Sequence, residues 1–159
     1  MNKSNLIIFV VALLAMFSGV LVYQHQQADF YDIDEKAYRW SQLNQETVIV
    51  NYFAEWCAPC IKEIPELNAL DEWVQQQPNM TFIAVSYDPL SAAELDEVRR
   101  KYNMQFALIA DVEQNFPIAK PNYLPATFMV KNGTVHGPLL GEQTFDTLKS
   151  AIGQVTLAD

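Results

Sequence analysis

Ala54-Glu55-Trp56-Cys57-Ala58-Pro59-Cys60 contains the only two cysteines of the chain, with two residues between them. The run before it, Val48-Ile49-Val50-Asn51-Tyr52-Phe53, is β-branched and aromatic, is bounded by polar residues, and has the length of a strand. A long helical pattern, Ile61 to Gln77, follows. The pair therefore falls where a strand turns into a helix. There the free N–H groups of the first turn and the positive end of the helix dipole face Cys57. A thiol so placed loses its proton more easily, and the thiolate is the nucleophile of disulfide exchange. The spacing also lets the two sulfurs close a ring with each other.

Three blander readings fit less well. A purely structural disulfide over so short a ring cross-links little chain, and its stabilisation grows with loop length. A structural zinc site wants four ligands, and no second cysteine pair exists; His25 and His136 lack ligand spacing. Two inert buried thiols do not suit a turn with Trp56 before it and Pro59 inside it. Redox chemistry is the reading that the spacing favours. Trp-Cys-Ala-Pro-Cys after a strand resembles the active site of the thioredoxin superfamily.

The 159 residues suffice for one domain, and half of them are hydrophobic, enough for a core. A formal charge of −9 argues against nucleic acid as a partner, since phosphates demand basic patches. Leu6 to Tyr23 is uncharged and mostly apolar, with Lys3 before it and Asp29, Asp32, Asp34 and Glu35 soon after. This charge order places the N-terminus inside and the rest of the chain outside. No Ala-x-Ala cleavage site ends the run, so it reads as an uncleaved anchor rather than a removed signal. Residues 1–28 are then signal anchor and tether, and 29–159 the folded domain. That domain lies outside the cytoplasm, where dithiols meet oxidants.

Downstream, the helix shows one stripe to bury: Ile61, Ile64, Leu67, Leu70 and Trp73-Val74. Pro65 lies within it and predicts a kink. Met80 to Tyr87 reads as a central strand, and strand, helix, strand in this order predicts a right-handed crossover with parallel strands. Ser91-Ala92-Ala93-Glu94 is a capping box that opens a helix to about Tyr102, and Phe106 to Asp111 a short extended piece. Asn132-Gly133 suits a type I′ hairpin between Thr127–Val130 and Val135–His136. Thr144 caps a last helix, Phe145 to Ile152, with Phe145, Leu148 and Ile152 inward.

The arrangement Asp32-Ile33-Asp34-Glu35-Lys36, Tyr38-Arg39-Trp40 and Ser41-Gln42-Leu43 looks like the N-terminal hairpin of the TlpA/ResA/DsbE (CcmG)-like branch of that superfamily. Periodicity alone also allows a helix from Glu35 to Leu43. Glu35 stands where the branch usually has a turn glycine. The helix and strand from Ser91 to Asp111 match the insertion of that branch. The resemblance implies an α/β thioredoxin fold, a central mixed sheet flanked by helices, with the N-terminal hairpin and this helix-strand insertion, preceded by one transmembrane or signal-anchor helix. It implies another helix within Val112–Asn122, which Pro117 and Pro121 make poor or short.

The same resemblance implies the site. Cys57 is the attacking thiol at the exposed end of the turn, Cys60 the resolving thiol, and the two form a redox disulfide. Pro59 restricts the turn and Trp56 flanks it. Pro125 is implied to be cis and to face the cysteines, against the alternative of an ordinary strand-initiating proline. The Leu124 backbone could then pair with a bound peptide as an added strand. Asn51 stands where thioredoxin has a buried acid. Glu63 matches a glutamate of the branch that takes a proton from Cys60 or raises the thiol pKa values; a solvent-facing helix carboxylate is the open alternative. Glu55 reads as a surface charge.

By resemblance the protein is a thiol–disulfide oxidoreductase needing no metal and no organic cofactor. It reduces disulfides of client proteins, apocytochrome c among them, and is re-reduced by a membrane electron donor. The implied place is the bacterial inner membrane, single-pass, with the C-terminal domain in the periplasm. A dithiol oxidase or isomerase remains an alternative, because the motif does not set direction; a non-catalytic client-binding module is a second, and a copper-assembly factor a third, which the cysteine spacing and the missing histidine ligand disfavour.

Overall fold

The computed structural model describes residues 9, 11–20, 28–112 and 116–157. Among these, 9 and 11–20 are helical and form the described part of the N-terminal apolar run. No helix among the described residues is long and apolar enough to cross a membrane. The remainder of that run, and tether residues 24–27, lie outside the described residues.

From residue 28 the chain builds two sheets. β1 (Phe30–Tyr31) and β2 (Ala37–Tyr38) form an antiparallel hairpin, followed by a short helix α1 (Trp40–Leu43). The hairpin expected from resemblance is therefore present, and the longer helix that periodicity allowed is not. Glu35 takes φ +64° at the turn, the left-handed region that favours glycine. Asp32 holds the turn. Its carboxylate accepts the N–H groups of Asp34 and Lys36, each at 2.9 Å, and the Tyr38 hydroxyl at 3.0 Å.

The main sheet has five strands: β3 (Thr47–Phe53), β4 (Met80–Ser86), β5 (Ala107–Ile109), β6 (Ala126–Lys131) and β7 (Thr134–Leu140), in the order β5-β4-β3-β6-β7. β3, β4 and β5 run parallel, while β6 is antiparallel to β3 and to β7. Helices α2 (Ala58–Val74), α3 (Ala92–Tyr102) and α4 (Phe145–Leu157) complete the fold. The crossover through α2 is parallel, as its order in the sequence requires.

Alternation along the strands sorts the core into two layers. Ile49 and Phe53 of β3, Phe82 and Ala84 of β4 and Met129 of β6 pack with α2, α3 and α4 residues such as Leu67, Leu95 and Leu148. Val48, Val50, Tyr52, Ile83, Val85 and Phe128 face the other way, onto Phe30, Tyr38, Leu43 and Ile118. Burying each such side chain contributes about 1.5–3 kcal/mol, so both layers are needed to hold the sheet.

Several expectations shift in detail. α2 starts at Ala58 and ends at Val74, three residues earlier at each end than the apolar pattern suggested. Proline favours the first turn, which explains the early start. The helix runs on through Pro65. On its stripe Ile64, Leu67, Leu70 and Val74 are buried, while Ile61 and Trp73 are half-buried. No described residue between Val112 and Asn122 is helical; residues 113–115 lie outside the description. Instead Phe116 stacks edge-on against Phe30 and Trp40, and the Ile118 carbonyl accepts the Tyr52 hydroxyl at 3.2 Å. Side chains of an irregular segment thus cover the second face. Asn132 and Gly133 both have positive φ, as the expected turn between β6 and β7 requires. The Thr144 hydroxyl accepts the Thr147 N–H, and α4 continues to Leu157.

Candidate active site

β3 ends at Phe53, and a tight turn delivers Cys57 to the N-cap of α2 with extended backbone, φ −85° and ψ 94°. Pro59 lies in the first turn, where a missing N–H costs nothing. Cys57 and Cys60 are joined in a disulfide, with Cα atoms 5.2 Å apart. The Cys60 N–H donates to Cys57 Sγ at 3.3 Å. On reduction the same N–H, with the helix dipole, favours negative charge on Cys57 over Cys60.

The expectation that Cys57 stands exposed is corrected. In the disulfide form it is 5% exposed and Cys60 1%. The ring folds both sulfurs into the apolar layer with Ile64 and Phe53, and only the edge of Cys57 meets solvent. Glu55, Ala58 and Pro59 are exposed in the turn, and so is the large side chain of Trp56, at 66%. Its indole N–H donates to Asp88 Oδ2 at 2.8 Å, and its ring meets Tyr87 edge-on at 6.1 Å. Asp88 was legible only as part of a turn; its role as the partner of Trp56 depends on β4 ending beside the dithiol. Glu55 is an exposed charge as expected, paired with Lys101 at 2.8 Å.

Leu124–Pro125 is cis. Pro125 immediately precedes β6, whose Ala126 is opposite Tyr52 near the end of β3. The proline thus stands beside the end of the strand that delivers the cysteines, and Leu124 packs against the cluster containing both sulfurs. The Pro125 carbonyl accepts the Gly141 N–H at 2.9 Å. Tyr123 is highly exposed next to them. A second cis bond, Gly137–Pro138 in β7, had no signal in the sequence beyond the dipeptide itself.

Glu63 is fully buried, so the solvent-facing alternative is excluded. It sits one turn beyond Cys60 on α2. Burial is the largest influence on it and raises its pKa to about 7; the Gln143 backbone N–H and the Asn51 side chain pull it down, and Glu142 and Glu66 push it up. The Gln143 N–H donates to Glu63 Oε1 at 3.1 Å. Asn51, also fully buried, gives its Nδ2 to Thr127 Oγ1 at 2.9 Å. The structure therefore gathers Trp56, Cys57, Pro59, Cys60, Glu63, Leu124 and Pro125 around one end of the sheet. It adds Asn51, Thr127 and Gln143, which sequence reading left without a role or, for Asn51, with a role denied. Glu142 ties the same loop to α2 from outside through Lys62, at 2.8 Å.

A protein presenting an exchangeable disulfide at a helix N-terminus, on this strand order, is a disulfide oxidoreductase of the thioredoxin fold. More particularly, the chain belongs to the AhpC/TSA family, whose model matches residues 24–136. It is similar to the thiol-disulfide oxidoreductase ResA of Bacillus anthracis, 25% identical over 97% of this chain and 99% of that protein. The ResA of Geobacillus thermodenitrificans is 24% identical over 78% of this chain and 71% of its own length. Among solved structures, a thiol:disulfide interchange protein of the thioredoxin family from Chlorobium tepidum TLS superposes with a TM-score of 0.64. It is 19% identical and covers 78% of this chain and 89% of its own. StoA from Bacillus subtilis gives 0.62 at 16% identity, over 76% and 92%. These likenesses agree with the TlpA/ResA/DsbE-like branch.

Proposed function

We propose that the protein reduces disulfides of client proteins outside the cytoplasm, held at the bacterial inner membrane by its N-terminal apolar run. In the cycle, Cys57 thiolate attacks one client sulfur. The client S–S bond breaks, a mixed disulfide forms, and the first client thiolate leaves. Cys60 then gives its proton to Glu63 and attacks Cys57 Sγ. The mixed disulfide breaks, the second client thiolate leaves, and the Cys57–Cys60 disulfide forms. The client gains two electrons, and its thiolates take protons from solvent. A membrane electron donor returns two electrons to Cys57–Cys60. The Leu124 backbone and Pro125 hold the client strand beside Trp56 and Pro59, and apocytochrome c is the client class that the branch suggests.

The observation that carries the reductive direction is the buried Glu63 carboxyl group one turn from Cys60. A carboxyl group that ionises near the pair disfavours thiolates. Less stable thiolates mean a dithiol that gives up its electrons more readily. Equilibration against thiol buffers tests this. Potentials in this fold run from about −270 mV for reductants to about −120 mV for strong oxidants. A value near the lower end is expected; one near the upper end makes the protein an oxidase. Intact mass and membrane fractionation test the anchor, and a soluble chain beginning after Gly19 overturns it.

A further inference from the structure

A buried carboxyl group that must stand ready as a base needs a hydrogen-bond donor that stays on its charged form. Among the described residues, the donor within hydrogen-bond distance of Glu63 is the Gln143 backbone N–H, on Oε1 at 3.1 Å; Oε2 has none. Asn51 pulls on the carboxyl group less strongly and gives its Nδ2 to the Thr127 hydroxyl at 2.9 Å. The Gln143 N–H lies between β7 and α4, where no helix or sheet ladder fixes its direction.

Three contacts fasten this segment to the rest of the fold. The Gly141 N–H donates to the Pro125 carbonyl at 2.9 Å, Lys62 pairs with Glu142 at 2.8 Å, and the Phe145 N–H donates to the Glu66 carboxylate at 2.8 Å. They hold residues 141, 142 and 145, and none of them touches residue 143. The Gln143 side chain does that itself. It folds back so that Nε2 donates to the Gly141 carbonyl at 3.0 Å and to the Leu140 carbonyl at 3.2 Å. The bond to Gly141 closes a ring around the peptide unit that carries the Gln143 N–H. The ring sets the direction in which that N–H points.

We propose that Gln143 is a positioning residue for Glu63: its side-chain amide, bound to the Leu140 and Gly141 carbonyls, holds its own backbone N–H on Glu63 Oε1. The proposal rests on the reading that Glu63 accepts the Cys60 proton. In that step the Cys60 S–H proton passes to the carboxylate, and Gln143 gains and loses nothing. Without the side-chain amide the peptide unit is free to turn away. The carboxylate then loses its donor, and the group keeps its proton to higher pH. Fewer molecules have a base ready for Cys60. The loss falls on the resolving step, because Cys57 draws its stabilisation from the start of α2.

The first test follows the infrared carboxyl band of the oxidised full-length protein against pH, the Glu63 band being the one lost in Glu63→Gln. Glu66 and Glu142, with Lys62 beside Glu142, are the charged groups around Glu63, and all three stay in the variants compared. Gln143→Met keeps the length of the side chain and removes its donor. It should raise the Glu63 midpoint by about one pH unit. Thr147→Ala removes the hydroxyl that accepts the Thr144 N–H at 2.9 Å, loosening the same segment one residue further on. It should leave the midpoint in place.

The second test mixes the reduced protein with Ellman's reagent. Cys57 breaks the reagent disulfide and releases one thionitrobenzoate; Cys60 then attacks Cys57 Sγ and releases the other. At pH 7 Gln143→Met should slow the second release about five-fold, the fall in carboxylate fraction that a one-unit rise from about 7 produces, without slowing the first. The difference should close by about pH 9. An unchanged midpoint in Gln143→Met overturns the proposal. So do equal rises in Gln143→Met and Thr147→Ala, which report a loosened loop alone, or a first release slowed as much as the second. An unchanged second release in Glu63→Gln instead overturns Glu63 as proton acceptor, so the two failures are distinguished.

Discussion

The backbone N–H of Gln143 donates to Oε1 of Glu63 across 3.1 Å, binding the loop after β7 to the helix that begins at the dithiol. The carboxyl group is fully buried, and this is one of the two contacts that oppose the cost of its ionisation. The loop is held on the same side by Lys62 with Glu142 and by Glu66, whose carboxylate accepts the Phe145 N–H at 2.8 Å. Successive turns of α2 thus grip the connection to α4. Any change in charge at Glu63 is felt in folding as well as in redox chemistry.

That coupling gives a pH dependence with a definite sign. Burial raises the Glu63 pKa from 4.5 to about 7. Between these values the folded state binds more protons than the unfolded one, so stability falls as pH rises. The contribution is complete below about pH 4.5 and is lost as pH passes about 7, for a difference on the order of 3 kcal/mol. Glu63→Gln keeps an acceptor for Gln143 and a donor for Asn51, like the protonated acid. Urea unfolding of the oxidised protein at pH 5 and pH 8 is expected to show the variant equal to wild type at pH 5 and more stable at pH 8. An equal pH dependence in both proteins removes Glu63 as its source.

Thiol reactivity separates the two cysteines. Cys57 caps α2 and receives the Cys60 N–H, while Cys60 is the more deeply buried of the two. At neutral pH iodoacetamide should label Cys57 of the reduced protein first. Cys57→Ser should abolish turnover, and Cys60→Ser should accumulate mixed disulfides with clients. Mass spectrometry after brief alkylation decides; preferential labelling of Cys60 reverses the roles.

Trp56 is exposed but tethered. Asp88→Ala removes the acceptor of the indole N–H without emptying any core. Stability should fall by no more than about 1 kcal/mol. The freed ring should give altered fluorescence, and client KM should rise several-fold with little change in kcat. A KM equal to wild type shows that Trp56 orientation is irrelevant to client binding.

Gly137 occupies φ +105° in β7, where a Cβ would lie 3.0 Å from the Thr127 carbonyl oxygen and 3.3 Å from the Leu139 nitrogen. Both neighbours are backbone of the sheet and cannot swing aside. Gly137→Ala should therefore destabilise by about 1–3 kcal/mol, read as a lowered Tm. An unchanged Tm shows that the edge of the sheet yields locally.

The residues that determine local structure spoke for themselves in the sequence. Val48 to Phe53 announced a strand by composition, Ser91 and Glu94 a helix start by reciprocal capping, and Asn132-Gly133 a turn by its tolerance of positive φ. Cys57 and Cys60 announced chemistry because thiols two residues apart have few other uses. These signals depend on near neighbours in the chain, so they survive without a fold. What lay beyond them depended on distant partners. Whether Glu63 faced water or core was open, because a helix position carries no label for the loop that covers it; the residues from Gly141 to Phe145 decided it. Asn51 lost its expected relevance for lack of a titrating proton and regained it only when β6 brought Thr127 alongside. Cys57 was expected at the exposed end of the turn and lies almost wholly under the edge of the apolar layer, packed with Phe53 and Ile64. Strand propensity, caps and motif spacing are written in the chain; burial and the partners of buried polar atoms arise only when segments far apart in sequence pack against one another.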